Sequence, residues 1–242
     1  VDLTGRGGDD AAMTGLGPNA ALIGEPHARQ ALDTPALLLD LDALERNIAA
    51  MAAHARAVGV GLRPHAKTHK SARIARMQIA AGALGICCAT LGEAEVMAAS
   101  GIPGLHITSP QVTPPKIARL MALNAAAEGL SVVVDHPDNV AALDRAAAGK
   151  PLGVLVDFAA GHGRTGCATE ADLAALVRAA AASEALVFRG IQSYSGNLQH
   201  IPVRAERRAR ALAELDRLRG IVERLRDAGI AVPIVSGAGT GT

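Results

Sequence analysis

The stretch "ALLLDLDALERNIAAM", residues 36–51, changes period in its middle. Its first six residues, ALLLDL, form the short apolar run expected of a buried strand. Asp42 with Glu45 then reads as a capping box. Leu44, Ile48, Met51, Ala55 and Val58 follow along one face of a helix. The same switch recurs down the chain. Strands are expected at 58–63, 85–89, 104–108, 130–134, 152–157, 186–192 and 231–235, and helices at 71–82, 91–100, 114–127, 137–148, 169–183 and 203–228. Thr113 before Pro114 reads as an N-cap followed by a first-turn proline. Gly229 ends a helix whose apolar face is Leu215, Leu218, Val222 and Leu225.

Strand-helix units joined by short links build an α/β fold on a parallel sheet. Seven such strands beyond the early one favour a (β/α)8 barrel of the TIM type that lacks its last strand. A doubly wound sheet is the alternative, but it would carry a glycine-rich turn after its first strand, and none is present. Residues 1–33 keep no sustained period and are expected to be a flexible arm, leaving residues 34–242 for the barrel. The first residue is valine, and the last residues, "SGAGTGT", stop inside a glycine-rich loop. A piece of a longer protein is therefore expected.

Composition narrows the function classes. The 242 residues are half hydrophobic, so the chain folds rather than staying disordered. Lysine plus arginine total 24 against 23 acids, a balance that points away from nucleic acid and from anionic membrane surfaces. No apolar run approaches the roughly 20 residues of a membrane span. The opening "VDLTGRGGDD" has neither the basic start nor the apolar stretch of a signal peptide. The cysteines, Cys87, Cys88 and Cys167, are odd in number and include an adjacent pair, which suits a reducing cytoplasm better than a disulfide framework.

In such a barrel, functional groups follow the C-terminal ends of the strands. "RPHAKTHK" (63–70) follows one strand and brings Arg63, His65, Lys67, His69 and Lys70 together in sequence. A lysine there can form a Schiff base if nearby positive charge favours its neutral amine. Thr108 and Ser109, Asp135 and His136, and Asp157 with the run to "GRTG" (163–166) follow other strands. "QSYSGNLQH" (192–200) and "SGAGTGT" (236–242) come after two more. The last could turn backbone N–H groups toward a phosphate. A Schiff-base lysine and a phosphate cradle on one barrel mouth suggest pyridoxal phosphate.

These motifs, in this order and across residues 34–242, resemble the D-threonine aldolase and D-serine dehydratase family. That resemblance implies pyridoxal-phosphate enzymes with an alanine-racemase-type N-terminal barrel. It implies that Lys67 holds the cofactor as an internal aldimine and that Arg164 faces the pyridine nitrogen. Tyr194 would lie beside the ring, Gly239 and Thr240 would belong to the phosphate loop, and His200 would act as base toward the substrate β-hydroxyl. Asp157 reads as structural. The resemblance also implies a C-terminal β-domain, a homodimer, and a divalent metal (Mn, Mg or Zn). Its ligands, a histidine with an aspartate or cysteine two residues later, are not expected in this chain. "DFAAGHGRTG" (157–166) departs from the acidic-aliphatic run that precedes this arginine in the family.

The expected activity is that of a lyase cleaving D-threonine or 3-hydroxy-D-aspartate to glycine and an aldehyde. Dehydration of D-serine to pyruvate and ammonia is the alternative. A racemase, with its second base supplied by another domain, also stays open. A non-catalytic pyridoxal-phosphate carrier fits less well, because that family lacks the "PHAKTHK" and "QSYSGNLQH" strings.

Overall fold

The structure is a computed structural model that describes residues 17–147, 149–159 and 163–239. Two compact units divide at Asn47. In the first, a 3-10 helix (Gly17–Leu22) precedes the short helix α1 (Ala28–Ala31). Asn19 ties the segment together by accepting the Asp33 N–H at 2.8 Å.

Helix α2 (Leu41–Val58) begins earlier than expected, and Asp40, not Asp42, is its cap. The Asp40 carboxylate accepts the Ala43 N–H at 2.9 Å, and its carbonyl accepts that of Leu44 at 3.0 Å. Residues 36–40 form no strand here, and Leu37, Leu38 and Leu39 are exposed. An apolar run becomes a strand only when a neighbouring edge takes up its N–H and C=O groups.

The second unit holds a six-stranded parallel sheet with the strands in sequence order. These are β1 (Cys87–Cys88), β2 (His106–Ile107), β3 (Ser131–Val134), β4 (Leu152–Phe158), β5 (Leu186–Ser193) and β6 (Ile234–Gly237). Between them run α3 (Ala72–Ala80), α4 (Leu91–Ala99), α5 (Pro114–Ala126), α6 (Pro137–Ala146), α7 (Glu170–Ala182) and α8 (Arg204–Asp227), α3 preceding β1. Each crossover moves one place in the same direction, as in a barrel wall. A doubly wound sheet would reverse direction partway. No helix among the described residues is long and apolar enough to cross a membrane.

The expected strand at 58–63 is reduced to one parallel bridge, His65 to Cys87. The Leu62 and Pro64 carbonyls still accept N–H bonds from Leu84 and Cys87, each at 2.8 Å. Gly59, Gly61 and Pro64 limit the ladder, proline having no N–H to give.

All seven residues of β4 are buried, as expected for a strand covered on both faces. Val132, Val134, Val154, Val156 and Ile191 join Leu120, Leu143, Leu173 and Val177 in one core. Helix α8 buries Leu218, Ile221, Val222 and Leu225, whereas Leu215 is 53% exposed. The face read from the sequence was thus one turn too long toward the N-terminus.

In β5, Arg189 is an extra residue, since Phe188 faces Val154 and Gly190 faces Leu155. Gly190 has φ +142°, and a Cβ there would stand 1.9 Å from the Ile234 carbonyl oxygen. Gly190→Ala is therefore expected to lower stability by about 3 kcal/mol or more. Urea denaturation followed by circular dichroism measures this. A variant as stable as the parent would show that β6 does not press on β5 at this point.

Candidate active site

The strand ends gather the polar residues. After the His65 bridge, the chain turns, and the His65 imidazole organises the turn. Its Nδ1 accepts the Lys67 N–H at 3.3 Å. The proton therefore sits on Nε2, which donates to Thr108 Oγ1 at 3.2 Å. Thr108 in turn donates to the Cys88 carbonyl at 3.2 Å. Burial, then the positive charge of Lys67, pushes the His65 pKa down to about 4, and Arg164 acts in the same direction. The ring is neutral near pH 7 and lies within electrostatic reach of both cations.

Lys67 and Lys70 have different surroundings. Lys67 Nζ stands 5.9 Å from the centroid of the Tyr194 ring. Lys70 Nζ is paired with Glu93 Oε1 at 2.8 Å, and the other Glu93 oxygen accepts the Ala89 N–H at 2.7 Å. Lys70 is thus committed to the start of α4. Arg63 also turns elsewhere, donating to the Gly104 carbonyl just before β2. Both side chains thus have hydrogen-bond partners of their own.

Arg164 lies on the segment after β4. That segment folds back on the strand end: Cys167 N–H donates to the Asp157 carbonyl at 2.9 Å, and Ala159 N–H donates to the Cys167 carbonyl at 3.0 Å. The Asp135 carboxylate accepts the Gly166 N–H at 3.0 Å, and Asp157 accepts from the Thr165 hydroxyl at 2.8 Å. Arg164 itself is exposed.

Tyr194 follows β5 directly and is half-buried. Gly239 packs against it. A Cβ on Gly239 would come within 3.0 Å of Tyr194 Cε2 and 2.5 Å of Gln199 Nε2, so a larger residue would have to displace the Gln199 amide and press on the tyrosine ring. Thr240 lies outside the described residues. His200 ends the 3-10 helix Gly196–His200 and is exposed. The other histidine expected at a strand end, His136, serves as the N-cap of α6.

Lys67, Arg164, Tyr194 and Gly239 thus come from four strand ends to one side of the sheet. The residues that sequence reading missed are buried: His106, Ser131 and Gln192 join Asp157 in a hydrogen-bonded chain. The available signal was a histidine inside the apolar run "LHI" (105–107), and a glutamine two places before the tyrosine.

Burial, first of all, lowers the pKa of His106 to about 4, as it does for His65. Both bind a proton more readily in the unfolded chain. Their contribution to stability is present above about pH 6.5 and is lost as the pH falls toward 4. Asp157, whose carboxyl burial pushes up, opposes this at the acid end. The urea midpoint should fall from pH 7 to pH 4, and His106→Gln should flatten the fall by up to one proton. A midpoint independent of pH across that range would contradict the neutral, buried state of both rings.

The sequence model of a protein family described as "Alanine racemase, N-terminal domain" matches residues 39–242. The chain is 39% identical over 214 residues to a 3-hydroxy-D-aspartate aldolase of Paracoccus denitrificans (strain Pd 1222), covering 87% of this chain and 55% of that protein. It is 33% identical over 219 residues to a D-threo-3-hydroxyaspartate dehydratase of Delftia sp. (strain HT23), covering 87% and 56%. Among solved structures, the D-threonine aldolase from Filomicrobium marinum superposes with a TM-score of 0.84 at 42% identity, covering 86% of this chain and 57% of that one. The chain spans little more than half the length of these proteins. With its sequential parallel sheet and its residues gathered at the strand ends, the chain belongs to the alanine racemase N-terminal domain family.

Proposed function

We propose that the protein is a pyridoxal-phosphate-dependent lyase that cleaves D-β-hydroxy-α-amino acids, D-threonine or 3-hydroxy-D-aspartate, to glycine and an aldehyde. The observation that carries this reading is the placement of the Lys67 amine 5.9 Å from the Tyr194 ring, with Gly239 packed against that ring. An amine, a flat aromatic wall and a loop without side-chain bulk are what the cofactor needs. The Arg164 charge is felt at His65, beside Lys67. The likeness to an aldolase at 42% identity supports this reading over the dehydratase at 33%.

Pyridoxal phosphate, when bound, supplies an aldehyde for the substrate amine and a ring that draws electrons from the α-carbon. Lys67 Nζ would be the point of covalent attachment. His65, held neutral, adds no charge beside that amine. Arg164, which does not give up its own proton, would face the pyridine nitrogen. Tyr194 would flank the ring, and the loop at Gly239 and Thr240 would hold the phosphate. His200 removes the proton of the β-hydroxyl. That oxygen's electron pair becomes the aldehyde carbonyl as the Cα–Cβ bond breaks, and the electron pair of that bond stays on Cα, which takes up a proton to give glycine. The resemblance implies a divalent cation (Mn, Mg or Zn), and no group of three or more His, Cys, Asp and Glu among the described residues is placed to hold it.

Three free, buried cysteines support a cytoplasmic setting, and the near-neutral charge balance supports a small-molecule substrate over nucleic acid or membrane. The resemblance alone supports a homodimer. The dehydratase relative keeps dehydration to an oxo acid and ammonia as the second reading.

The full chain is expected to take up pyridoxal phosphate, and borohydride should fix it to Lys67. Lys67→Ala should abolish that labelling, whereas label on Lys70 would sink the assignment. His200→Ala should slow acetaldehyde release from D-threonine by ~10²- to 10⁴-fold while the cofactor spectrum still responds to the amino acid. Undiminished acetaldehyde would remove His200 from the mechanism. Ammonia and an oxo acid in place of glycine would move the protein to the dehydratase reading.

A further inference from the structure

Three polar side chains lie deep in the sheet: His106 is 2%, Asp157 3% and Gln192 7% exposed. They form one directed chain. The Ser131 hydroxyl donates to His106 Nδ1 at 2.9 Å, and His106 Nε2–H donates to Gln192 Oε1 at 2.9 Å. Gln192 Nε2–H donates to Asp157 Oδ1 at 3.2 Å, and the Thr165 hydroxyl donates to Asp157 Oδ2 at 2.8 Å. The direction is forced. Reversing the Gln192 amide would set its oxygen against a carboxylate and its N–H against the His106 Nε2 proton.

Such a chain is a poor way to gain stability. Apolar residues of similar size would fill the space at least as well, and half-satisfied polar groups are worse than none. What it does well is fix geometry. Asp157 touches two of the four segments that carry residues proposed to face the cofactor. Through Thr165 it holds the residue next to Arg164; through Gln192 it holds the strand end two residues before Tyr194. Arg164, being exposed, gets its position from these neighbours, with the Gly166 bond to Asp135 as the second pin.

We propose that Asp157 is a positioning residue that ties the arginine loop to the tyrosine strand end and so sets the spacing of Arg164 and Tyr194 across the cofactor. The functional half of this rests on the pyridoxal-phosphate reading above; the mechanical tie does not. His106 is the far anchor, holding Gln192 in the orientation that presents its amide N–H to Asp157.

The test uses the full chain with two readouts, amide hydrogen exchange without cofactor and the dissociation constant of pyridoxal phosphate. Asp157→Asn replaces one acceptor oxygen by an NH2 group. Exchange should rise about tenfold or more in both 163–167 and 190–196, and the dissociation constant should rise about tenfold. Thr165→Val removes only the hydroxyl on a half-buried loop and keeps the fold. It should raise exchange at 163–167 and the dissociation constant with a thermal midpoint near that of the parent, and Thr165→Ser should restore both.

Ser183→Ala is the control for a merely structural bond. Ser183 bonds Asp144 and the Ala185 and Leu186 amides at the opposite end of β5. Its loss should lower the thermal midpoint and leave cofactor affinity unchanged. If Asp157→Asn does not fold, the Thr165 pair decides. Parent-like exchange and affinity in Thr165→Val would overturn the proposal. A parent chain that takes up no pyridoxal phosphate would overturn the functional reading, and the exchange arm would then judge the tie by itself.

Discussion

Strand β4 is buried along its whole length, and a backbone in that position must hydrogen-bond on both edges. It does so with β3 over four residue pairs and with β5 over seven. The rest of the sheet extends from this pair of ladders. Since all the ladders are parallel, each strand must be followed by a crossover, and every strand delivers its C-terminal end to the same side. That side is where Lys67, Arg164, Tyr194 and Gly239 lie. That a candidate site draws on residues up to 172 positions apart, Lys67 to Gly239, is therefore a consequence of strand direction.

The site is also shaped by which groups stay neutral. His65 and His106 lie under the strand ends, and burial keeps both uncharged near pH 7. In each ring the neutral form places one donor and one acceptor in fixed positions. His65 uses them to fold the chain around Lys67. His106 uses them to orient Gln192. A protonated ring would bring two donors to each place and meet an N–H or a second cation. Neutral rings thus add no imidazolium charge beside Lys67 and Arg164, the two groups proposed to face the cofactor.

The two lysines of "RPHAKTHK" show how tertiary context assigns roles to equal side chains. Lys67 and Lys70 are three positions apart. Glu93, on the next helix, draws one into an ion pair, and the turn set by His65 presents the other toward Tyr194. The carboxylate that separates them also accepts the Ala89 N–H, so the pairing is held to the strand end.

Helices were legible in the sequence because their signals are local. Six expected helices, from 71–82 to 203–228, agree with α3 to α8 within two residues at each end. The caps at Ser71, Thr90 and Thr169 hydrogen-bond within three residues of themselves. Strand order and the barrel class followed from the alternation of period, and the motifs put forward Lys67, Arg164, Tyr194 and Gly239 as candidates, which follow strand ends on one side of the sheet. The sequence did not determine whether an apolar run pairs. "ALLLDL" has the composition of a strand, yet forms no ladder among the described residues, because pairing depends on an edge supplied from elsewhere. Nor could local pattern reveal that Leu215 is exposed, that Lys70 is neutralised from 23 residues away, or that His106 and Gln192, 86 residues apart, share a hydrogen bond inside the core. Periodicity reports which face of an element is apolar. Only the folded chain decides what that face, and each buried polar atom, meets.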